Sequence, residues 1–400
     1  MQPETILGPE WKRGTNGNVS AISMTPDASF VAAGCEDHDV YLINYSGKLL
    51  WASTTGDTVQ FVKISDDGRF VAACSMDNIV SYFDKTGELL WTFRTSKRIN
   101  AMDMTPDGTL VVTGSDDGVI RAFNDKGIVV WSKDCQKPVN SVCISSSGAL
   151  IIAGASNNKA YLFTRDGQVR WEYPTQSPVM YVYTSSDGEF SYVLEFTNNT
   201  LHQLSERGAE LSVNSYSQRI TDISVTDDGR FVAIGFVNSY VYFTDKNGSV
   251  QWKQTMSGPV EAVKVTPDGS LVYAATSDKA VWILNKNGNL LLNKKFEGVP
   301  NCIATTIDGD YFVANGLNTV YFFAITRYLE YIVREQAKMV KMMKEGDKRE
   351  NMMVDKDGKR KATYPGAPDS GVNTCRLCGA PILESRTLCN YCEMMQRRTH

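Results

Sequence analysis

Short apolar runs separated by turn-forming residues recur along the first 326 residues. In the first unit the runs are VSAISM, SFVAAG, VYLINY and KLLWAS, which begin at residues 19, 29, 40 and 48. They are rich in Val, Ile, Tyr, Phe and Trp, and Asp-Gly or Asn-Gly pairs supply the positive φ angles that tight hairpins need. The pattern predicts four short β-strands in each unit of about 40 residues.

Three columns of residues return in each unit. The first is the last position of a turn such as TPDG: Ala28, Gly68, Gly108, Gly148, Gly188, Gly229, Gly269 and Gly309. The second is an acid or amide: Asp37, Asp77, Asp117, Asn157, Asn198, Asn238, Asp278 and Asn318. The third is a glycine: Gly47, Gly87, Gly127, Gly167, Gly208, Gly248 and Gly288. Four strands in about 40 residues is the period of a β-propeller blade, so we predict an all-β propeller.

A tryptophan column shows how the ring closes. It contains Trp51, Trp91, Trp131, Trp171, Ser212, Trp252 and Leu292. Trp11 extends the column backwards by about one period, and the last unit has no fourth strand of its own. We therefore predict that the segment around Trp11 pairs as the outer strand of the last blade, which removes the open sheet edges.

The predicted propeller has eight blades and covers residues 9–326. Its blades are predicted to begin near residues 19, 59, 99, 139, 179, 220, 259 and 300. One extra residue falls between Gly188 and Asn198, and we expect a β-bulge there.

The repeats resemble two propeller families. The TPDG…VAAG…D half of a unit resembles a WD-repeat, and YLINYSGKLLW is similar to the blade motif of pyrroloquinoline-quinone-type propellers. The second resemblance implies that the tryptophan docks against the neighbouring blade. The third strand ends in YFD or AFN instead of Trp-Asp, and no blade begins with Gly-His, so the usual WD-repeat hydrogen-bond network is not expected.

Repeat-wide positions are expected to build the scaffold. Trp11, Trp51, Trp91, Trp131, Trp171 and Trp252 are predicted to pack between blades. Asp37, Asp77, Asp117 and Asp278 are predicted to form Asx-turns that satisfy loop N–H groups.

The connections at the two ends of the blades differ in regularity. Uniform first-to-second and third-to-fourth turns share one face, called here the turn face. Variable second-to-third and between-blade loops share the other, called here the loop face. Because irregular loops are free to specify a ligand, we predict that the loop face binds a partner. Candidate contacts are Arg94, Lys97 and Arg98 of the basic island RTSKR, the aromatic Tyr216, and His38.

Sequence beyond residue 323 changes period. Apolar residues at Ile325, Leu329, Ile332 and Val340 have helical spacing, so residues 325–346 are predicted to form an amphipathic helix and residues 347–374 a flexible linker. The following CRLCGAPILESRTLCNYC resembles a short zinc ribbon, with ligands Cys375, Cys378, Cys389 and Cys392. Four thiolates leave no open position, which predicts one structural Zn²⁺ per chain; an iron–sulfur cluster is the alternative.

Composition and charge constrain the function. Residues 327–400 contain 15 Lys and Arg against 10 Asp and Glu, which leaves 26 and 35 for residues 1–326, so an acidic propeller precedes a basic tail. Nine cysteines, no apolar run of signal-peptide length and no membrane-spanning stretch favour a cytoplasmic protein that does not insert into membranes.

Three functions are compared on this basis. The first is a non-catalytic protein-interaction scaffold, in which the loop face and the zinc ribbon each bind a partner. The second is a nucleic-acid- or ribosome-associated factor that contacts phosphates through the basic tail. The third is a quinone-type enzyme or a small-ligand sensor that uses the central channel. Phosphate-loop, dinucleotide and hydrolase motifs are absent from the sequence, so the chain is predicted not to be an enzyme.

Overall fold

The computed structural model describes residues 8–326, 328, 373–374 and 381–382. Compact units cover residues 1–323 and 324–400. In the first unit, eight four-stranded antiparallel sheets form an eight-bladed β-propeller, as the repeat predicts. In the second, Asn373–Thr374 pairs with Pro381–Ile382.

Most predictions for the C-terminal part lie outside the described residues. Ile325, Thr326 and Tyr328 are helical, and the rest of the helix predicted over 325–346 is not described. Almost all of the predicted linker and the four predicted zinc ligands also lie outside the described residues.

Blades 1 to 4 repeat with a constant spacing. Blade 1 contains Val19–Met24, Phe30–Cys35, Asp39–Asn44 and Leu49–Thr54. Blade 2 contains Val59–Ile64, Phe70–Ser75, Ile79–Asp84 and Leu89–Arg94. Blade 3 contains Ile99–Met104, Leu110–Ser115, Val119–Asn124 and Val129–Asp134. Blade 4 contains Val139–Ile144, Leu150–Ala155, Lys159–Thr164 and Val169–Pro174.

Blades 5 to 8 follow the same plan with small shifts. Blade 5 contains Val179–Thr184, Phe190–Glu195, Thr200–Ser205 and Glu210–Ser215. Blade 6 contains Ile220–Val225, Phe231–Phe236, Tyr240–Asp245 and Val250–Thr255. Blade 7 contains Val260–Val265, Leu271–Thr276, Ala280–Asn285 and Leu290–Lys295. Blade 8 contains Ile303–Thr305, Tyr311–Gly316, Thr319–Ala324 and, from the N-terminus, Trp11–Gly14.

The first strand of each blade lies at the centre of the ring. First strands of neighbouring blades contact one another, so we call them inner strands and the fourth strands outer strands. Second strands are almost entirely buried because adjacent blades cover both of their faces, whereas the outer strands alternate between half-buried and exposed residues. The hydrophobic core therefore consists of layers between blades.

The N-terminal strand completes blade 8. Trp11 pairs with Phe322 and Gly14 with Thr319 in an antiparallel ladder. The indole stacks on the Phe322 ring at a centroid distance of 5.1 Å and donates a hydrogen bond to the carbonyl oxygen of Tyr45 in blade 1, at 2.9 Å. This strand therefore connects the last blade to the first.

Each outer-strand tryptophan docks over a glycine of the next blade. A Cβ atom on Gly47, whose φ is 79°, would lie 2.6 Å from Cγ of Trp11, so only glycine fits there. The indole N–H groups of five tryptophans donate to a carbonyl oxygen of the following blade: Tyr45, Lys85, Asp125, Arg165 and Lys286 accept from Trp11, Trp51, Trp91, Trp131 and Trp252. This is the docking that the quinone-type resemblance implies.

Two details of the predicted strand positions are wrong. The extra residue of blade 5 does not form a bulge before Asn198, because the ladder between Phe190–Glu195 and Thr200–Ser205 is regular. It lengthens the loop over residues 196–199 instead. The inner strand of blade 8 begins at Ile303, not near residue 300, because residues 299–302 have no strand pairing.

Candidate functional site

The loop face has one structurally equivalent position in blades 1 to 7, at the start of the second-to-third loop. These residues are Glu36, Met76, Asp116, Ser156, Phe196, Val237 and Ser277. The loop of blade 8 has only two residues, and Leu317, which begins it, has a φ of 54°. In blades 1 to 7 the main-chain N–H of the equivalent residue donates to a carbonyl oxygen of the preceding between-blade loop, at 2.7–3.1 Å. The hydrogen bond fixes the two loops to each other. The side chains of Glu36, Asp116 and Ser156 also accept hydrogen bonds, from Asn18, Asn100 and Asn140.

Apolar side chains occupy this position in three blades. Met76, Phe196 and Val237 are exposed by 48%, 52% and 42%. Only Phe196 and Val237 belong to neighbouring blades, and Arg219 lies in the loop between them, its carbonyl oxygen accepting from the Val237 N–H. An exposed apolar pair beside an arginine has the composition of an interface core.

The basic island lies elsewhere on the loop face, between blades 2 and 3. Nη1 of Arg94 donates to the carbonyl oxygen of Asp77 at 2.7 Å, so this arginine braces the neighbouring loop. Lys97 and Arg98 are exposed; the carbonyl oxygen of Lys97 accepts from Thr95 Oγ1 of the same loop, and that of Arg98 accepts from the Asp116 N–H of blade 3. Arg94 ends the outer strand of blade 2 and the other two residues lie in the loop that follows, so the basic island is separate from the Phe196–Val237 pair of blades 5 and 6.

The other two predicted contacts are partly occupied by packing. His38 has a φ of 73°, and its side chain is 46% exposed, with Nε2 3.9 Å from Oδ1 of Asp57. Tyr216 is half-buried against the rings of Phe236 and Tyr242, so it belongs to the core between blades 5 and 6. We therefore do not place Tyr216 among the exposed contacts.

The aspartate column holds the between-blade loops. Oδ2 of Asp37 accepts hydrogen bonds from the N–H groups of Asn16 and Gly17 at 3.0 Å, while Oδ1 accepts from the Asp39 N–H at 3.0 Å. The hydrogen bond to the Asp39 N–H forms an Asx-turn. The two hydrogen bonds to Asn16 and Gly17 join blade 1 to the loop that follows blade 8. One carboxylate thus satisfies three main-chain donors.

Blade 5 uses a different residue for this purpose. Asn198 stands in the aspartate column, and the carboxylate comes from Glu195, which is 1% exposed. Glu195 accepts hydrogen bonds from Gln176 N–H at 3.0 Å, Ser177 Oγ at 3.1 Å and Asn198 Nδ2 at 2.5 Å. Burial alone would raise the pKa of Glu195, but these donors and the imidazole of His202 outweigh burial and lower it.

His202 lies between two carboxylates. Its Nε2 is 2.9 Å from Oε1 of Glu195, and its Nδ1 is 3.2 Å from Oε2 of Glu210 and 3.0 Å from the Tyr173 hydroxyl of blade 4. The histidine is only 8% exposed. This cluster therefore joins blades 4 and 5; sequence reasoning missed it because neither Glu195 nor His202 belongs to a repeating column.

The central channel has a cavity of about 390 Å³ at its turn-face end. Among its lining residues, Lys63 Nζ lies 3.0 Å from Oδ1 of Asp103, and Oδ2 of Asp103 accepts the N–H of Ile144 at 2.8 Å. The ion pair therefore also joins the inner strands of blades 3 and 4. No motif in the sequence indicates a channel ligand, and none points to this ion pair.

A second carboxylate joins the inner strands of blades 6 and 7. Oδ2 of Asp222 accepts the Val263 N–H at 2.9 Å, and burial raises the pKa of Asp222 to about 6. Burial and the nearby ammonium of Lys63 lower the pKa of Lys264. Among the described residues, no group of three or more His, Cys, Asp or Glu side chains is placed to hold a metal ion.

Comparisons with solved structures show the same fold at low sequence identity. Sqt1 of Saccharomyces cerevisiae matches with a TM-score of 0.67 and 16% identity over 78% of this chain and 97% of its own. The computationally designed Ika8 protein matches with a TM-score of 0.68 and 16% identity, over 78% of this chain and 98% of its own. No curated protein matches the sequence.

Family models match by sequence as well. The model of the WD domain, G-beta repeat, matches residues 10–44. The model described as outer membrane protein assembly factor BamB matches residues 36–181 and 197–315, and the gap between the two segments falls in blade 5. In the part of the chain that the structure describes, no helix has the length and hydrophobicity needed to cross a bilayer. Since the second model matches well over half of the sequence, the chain belongs to the propeller family whose model is described as outer membrane protein assembly factor BamB.

Proposed function

We propose that the protein is a non-catalytic scaffold that binds a protein partner through the loop face at blades 5 and 6. The observation that supports this most strongly is the neighbouring pair Phe196 and Val237, exposed by 52% and 42% at equivalent loop positions. A single exposed apolar residue needs no explanation, but of the apolar residues at this loop position only Phe196 and Val237 lie in neighbouring blades, so we place the contact there.

The irregularity of blade 5 supports the same location. Its second-to-third loop is one residue longer than those of blades 1 to 4, and the family model does not match residues 182–196. The buried carboxylate of Glu195 holds this loop by accepting a hydrogen bond from Asn198 Nδ2. A repeat protein gains specificity where one repeat departs from the others, because the remaining repeats maintain the scaffold. Propellers commonly serve as interaction platforms, which is an argument from fold alone.

Substituting Phe196 tests this proposal. The full chain with Phe196→Asp should lose a protein partner that the wild type retains during affinity purification from the native host. With the purified partner, the Kd should rise at least about 30-fold, since truncated interface anchors cost about 2 kcal/mol or more. Met76→Asp is the matched control, because Met76 occupies the same position in blade 2, makes the same main-chain hydrogen bond and is 48% exposed. Equal loss in both variants, or in neither, would contradict the proposed location.

The C-terminal cysteines extend the proposal to a zinc ribbon that binds a second partner. We propose that Cys375, Cys378, Cys389 and Cys392 bind one structural Zn²⁺, because two Cys-x-x-Cys pairs supply the four thiolates of a tetrahedral site. Elemental analysis of the purified chain should give about one zinc per chain, and Cys375→Ser should lose most of it. Cys302→Ser, which removes a free thiol of the propeller, should keep the zinc. Iron in place of zinc, or no metal, would overturn the assignment. The cytoplasmic location stays a prediction.

A further inference from the structure

The outer strand of blade 5 lacks the tryptophan that fills this position in six other blades. In three blades that tryptophan ends a stack of three rings: Phe70, Tyr82 and Trp91; Phe231, Phe243 and Trp252; Tyr311, Phe322 and Trp11. Centroid distances within the stacks are 5.0–5.4 Å. The equivalent residues of blade 5 are Phe190, Gln203 and Ser212, so one ring remains where those three blades have three.

An open space, called here the Ser212 cavity, lies beside this position and is lined by two of the equivalent residues, Phe190 and Gln203, and by Leu211, which precedes Ser212. Its volume is about 480 Å³; Lys246 and Asn247 of blade 6 complete its far side, and Glu206 and Arg207 are also among its lining residues. This volume falls within the range of small-ligand sites. Blade 7 also lacks the tryptophan, but its Leu292 is only 7% exposed and fills the position.

The polar groups of the cavity fit an indole on a peptide. The indole N–H of Trp51 donates to the carbonyl oxygen of Lys85, 34 residues further along the chain, at 3.0 Å. The same offset from Ser212 gives the carbonyl oxygen of Lys246, which belongs to a cavity residue. Gln203 is 2% exposed, and its Nε2 has no hydrogen-bond partner among the described residues. A peptide carbonyl oxygen would satisfy that buried donor.

Two neighbouring side chains limit how deeply a ligand can enter the Ser212 cavity. The side chain of Asn214 covers Gly248, the glycine on which a tryptophan of blade 5 would otherwise dock. Lys246 Nζ lies 5.3 Å from the centre of the Phe190 ring. An aromatic ring in the cavity would therefore lie outside Asn214 and contact the Lys246 ammonium through its π face.

We propose that the Ser212 cavity binds a tryptophan side chain of a second polypeptide. Six blades place an indole at this position, five of them with a hydrogen bond to a carbonyl oxygen of the next blade, and Lys246, the residue at the equivalent offset, lines the cavity. The cavity is at the turn-face rim, so this site is independent of the proposed contact at Phe196 and Val237. The cavity would give the scaffold a second contact, in which the partner supplies the aromatic side chain.

A fluorinated peptide tests the site on the full chain. The probe is GKLLWAST, the sequence of residues 47–54, with 5-fluorotryptophan in place of Trp, observed by ¹⁹F NMR. The ring signal should shift or broaden on addition of the protein. In competition, the unlabelled peptide should bind at least about 10-fold more tightly than the same peptide with alanine in place of Trp. Free N-acetyl-tryptophanamide should bind more weakly than the peptide; if it binds as tightly, the site recognises a small indole and not a polypeptide.

Variants at Ser212 locate the binding. Ser212→Trp should fill the cavity and weaken peptide binding at least about 10-fold, whereas Ser212→Ala should bind like the wild type. Ser212→Leu is a second filled variant, since leucine already occupies this position in blade 7. The Phe196→Asp variant should bind the peptide unchanged. Failure of the wild type to bind the probe, or undiminished binding by both folded filled variants, would overturn the proposal.

Discussion

Replacing Trp11 with alanine is expected to lower the free energy of unfolding of the propeller by about 3 kcal/mol. The indole provides three contacts that the alanine cannot: the stack on Phe322, the hydrogen bond to the Tyr45 carbonyl oxygen and the packing on Gly47. Loss of these contacts loosens the strand that closes the ring. Far-UV circular dichroism in urea would measure the change as a lower midpoint.

The neighbouring residue is a matched control for this substitution. Lys12 lies on the same strand with its side chain 63% exposed, and its ammonium is 3.8 Å from an equally exposed carboxylate of Glu297. An exposed ion pair contributes little, so Lys12→Ala should change the stability by less than about 1 kcal/mol. If both variants unfold at the same urea concentration, the closing strand does not depend on its tryptophan.

The sequence predicts the ring because its signals are local. Asp-Gly turns and outer-strand tryptophans lie at fixed offsets within each unit, and each specifies one hairpin or one contact with the next blade. In the sequence, no strand-like run follows residues 319–324 and no strands of the same unit precede Trp11, and the observed pairing of these two segments accounts for both features. Closure could therefore be predicted without any knowledge of side-chain packing.

The departures in blade 5 could not be interpreted in the same way. A period of 41 residues shows that one residue has been added, but both a bulge and a longer loop satisfy it. In the structure the extra residue lies in the loop, because Phe190 to Leu194 pair in regular register with Leu201 to Ser205. Glu195, at the end of that strand, supplies the carboxylate that Asn198 lacks. Ser212 was visible as a missing tryptophan, yet only the coordinates show that Gln203 and Lys246 leave the space open.

Function was the least predictable part because it depends on side chains outside the columns. Phe196 and Val237 could have been found by aligning the first residue of each second-to-third loop. The other residues at this position are Glu36, Met76, Asp116, Ser156 and Ser277, so two apolar residues in succession occur only here. The charged channel residues could have been found from the alternation of inner-strand side chains. Both signals appear only after the strand boundaries are known to within one residue.

Replacing Glu195 with alanine should destabilise the propeller by about 3–5 kcal/mol, because it leaves the Gln176 N–H and the His202 imidazole without their buried acceptor. Glu210 is the matched control on the other side of the same imidazole: its side chain is 46% exposed, so Glu210→Ala should cost about 1 kcal/mol or less. Urea midpoints at pH 7 would separate the two.

At low pH, the propeller should lose the additional stability that Glu195 gives it relative to glutamine at the same position. The hydrogen bonds lower the pKa of Glu195 below the ordinary 4.5, so the ionised carboxylate adds stability above that pH and the addition is lost as the pH falls through the folded-state pKa. The difference in urea midpoint between the wild type and Glu195→Gln should therefore be full at pH 7 and shrink below about pH 4.5. A difference that stays constant down to pH 3, or a Glu210→Ala variant as unstable as Glu195→Ala, would show that Glu195 is not the residue that holds blades 4 and 5 together.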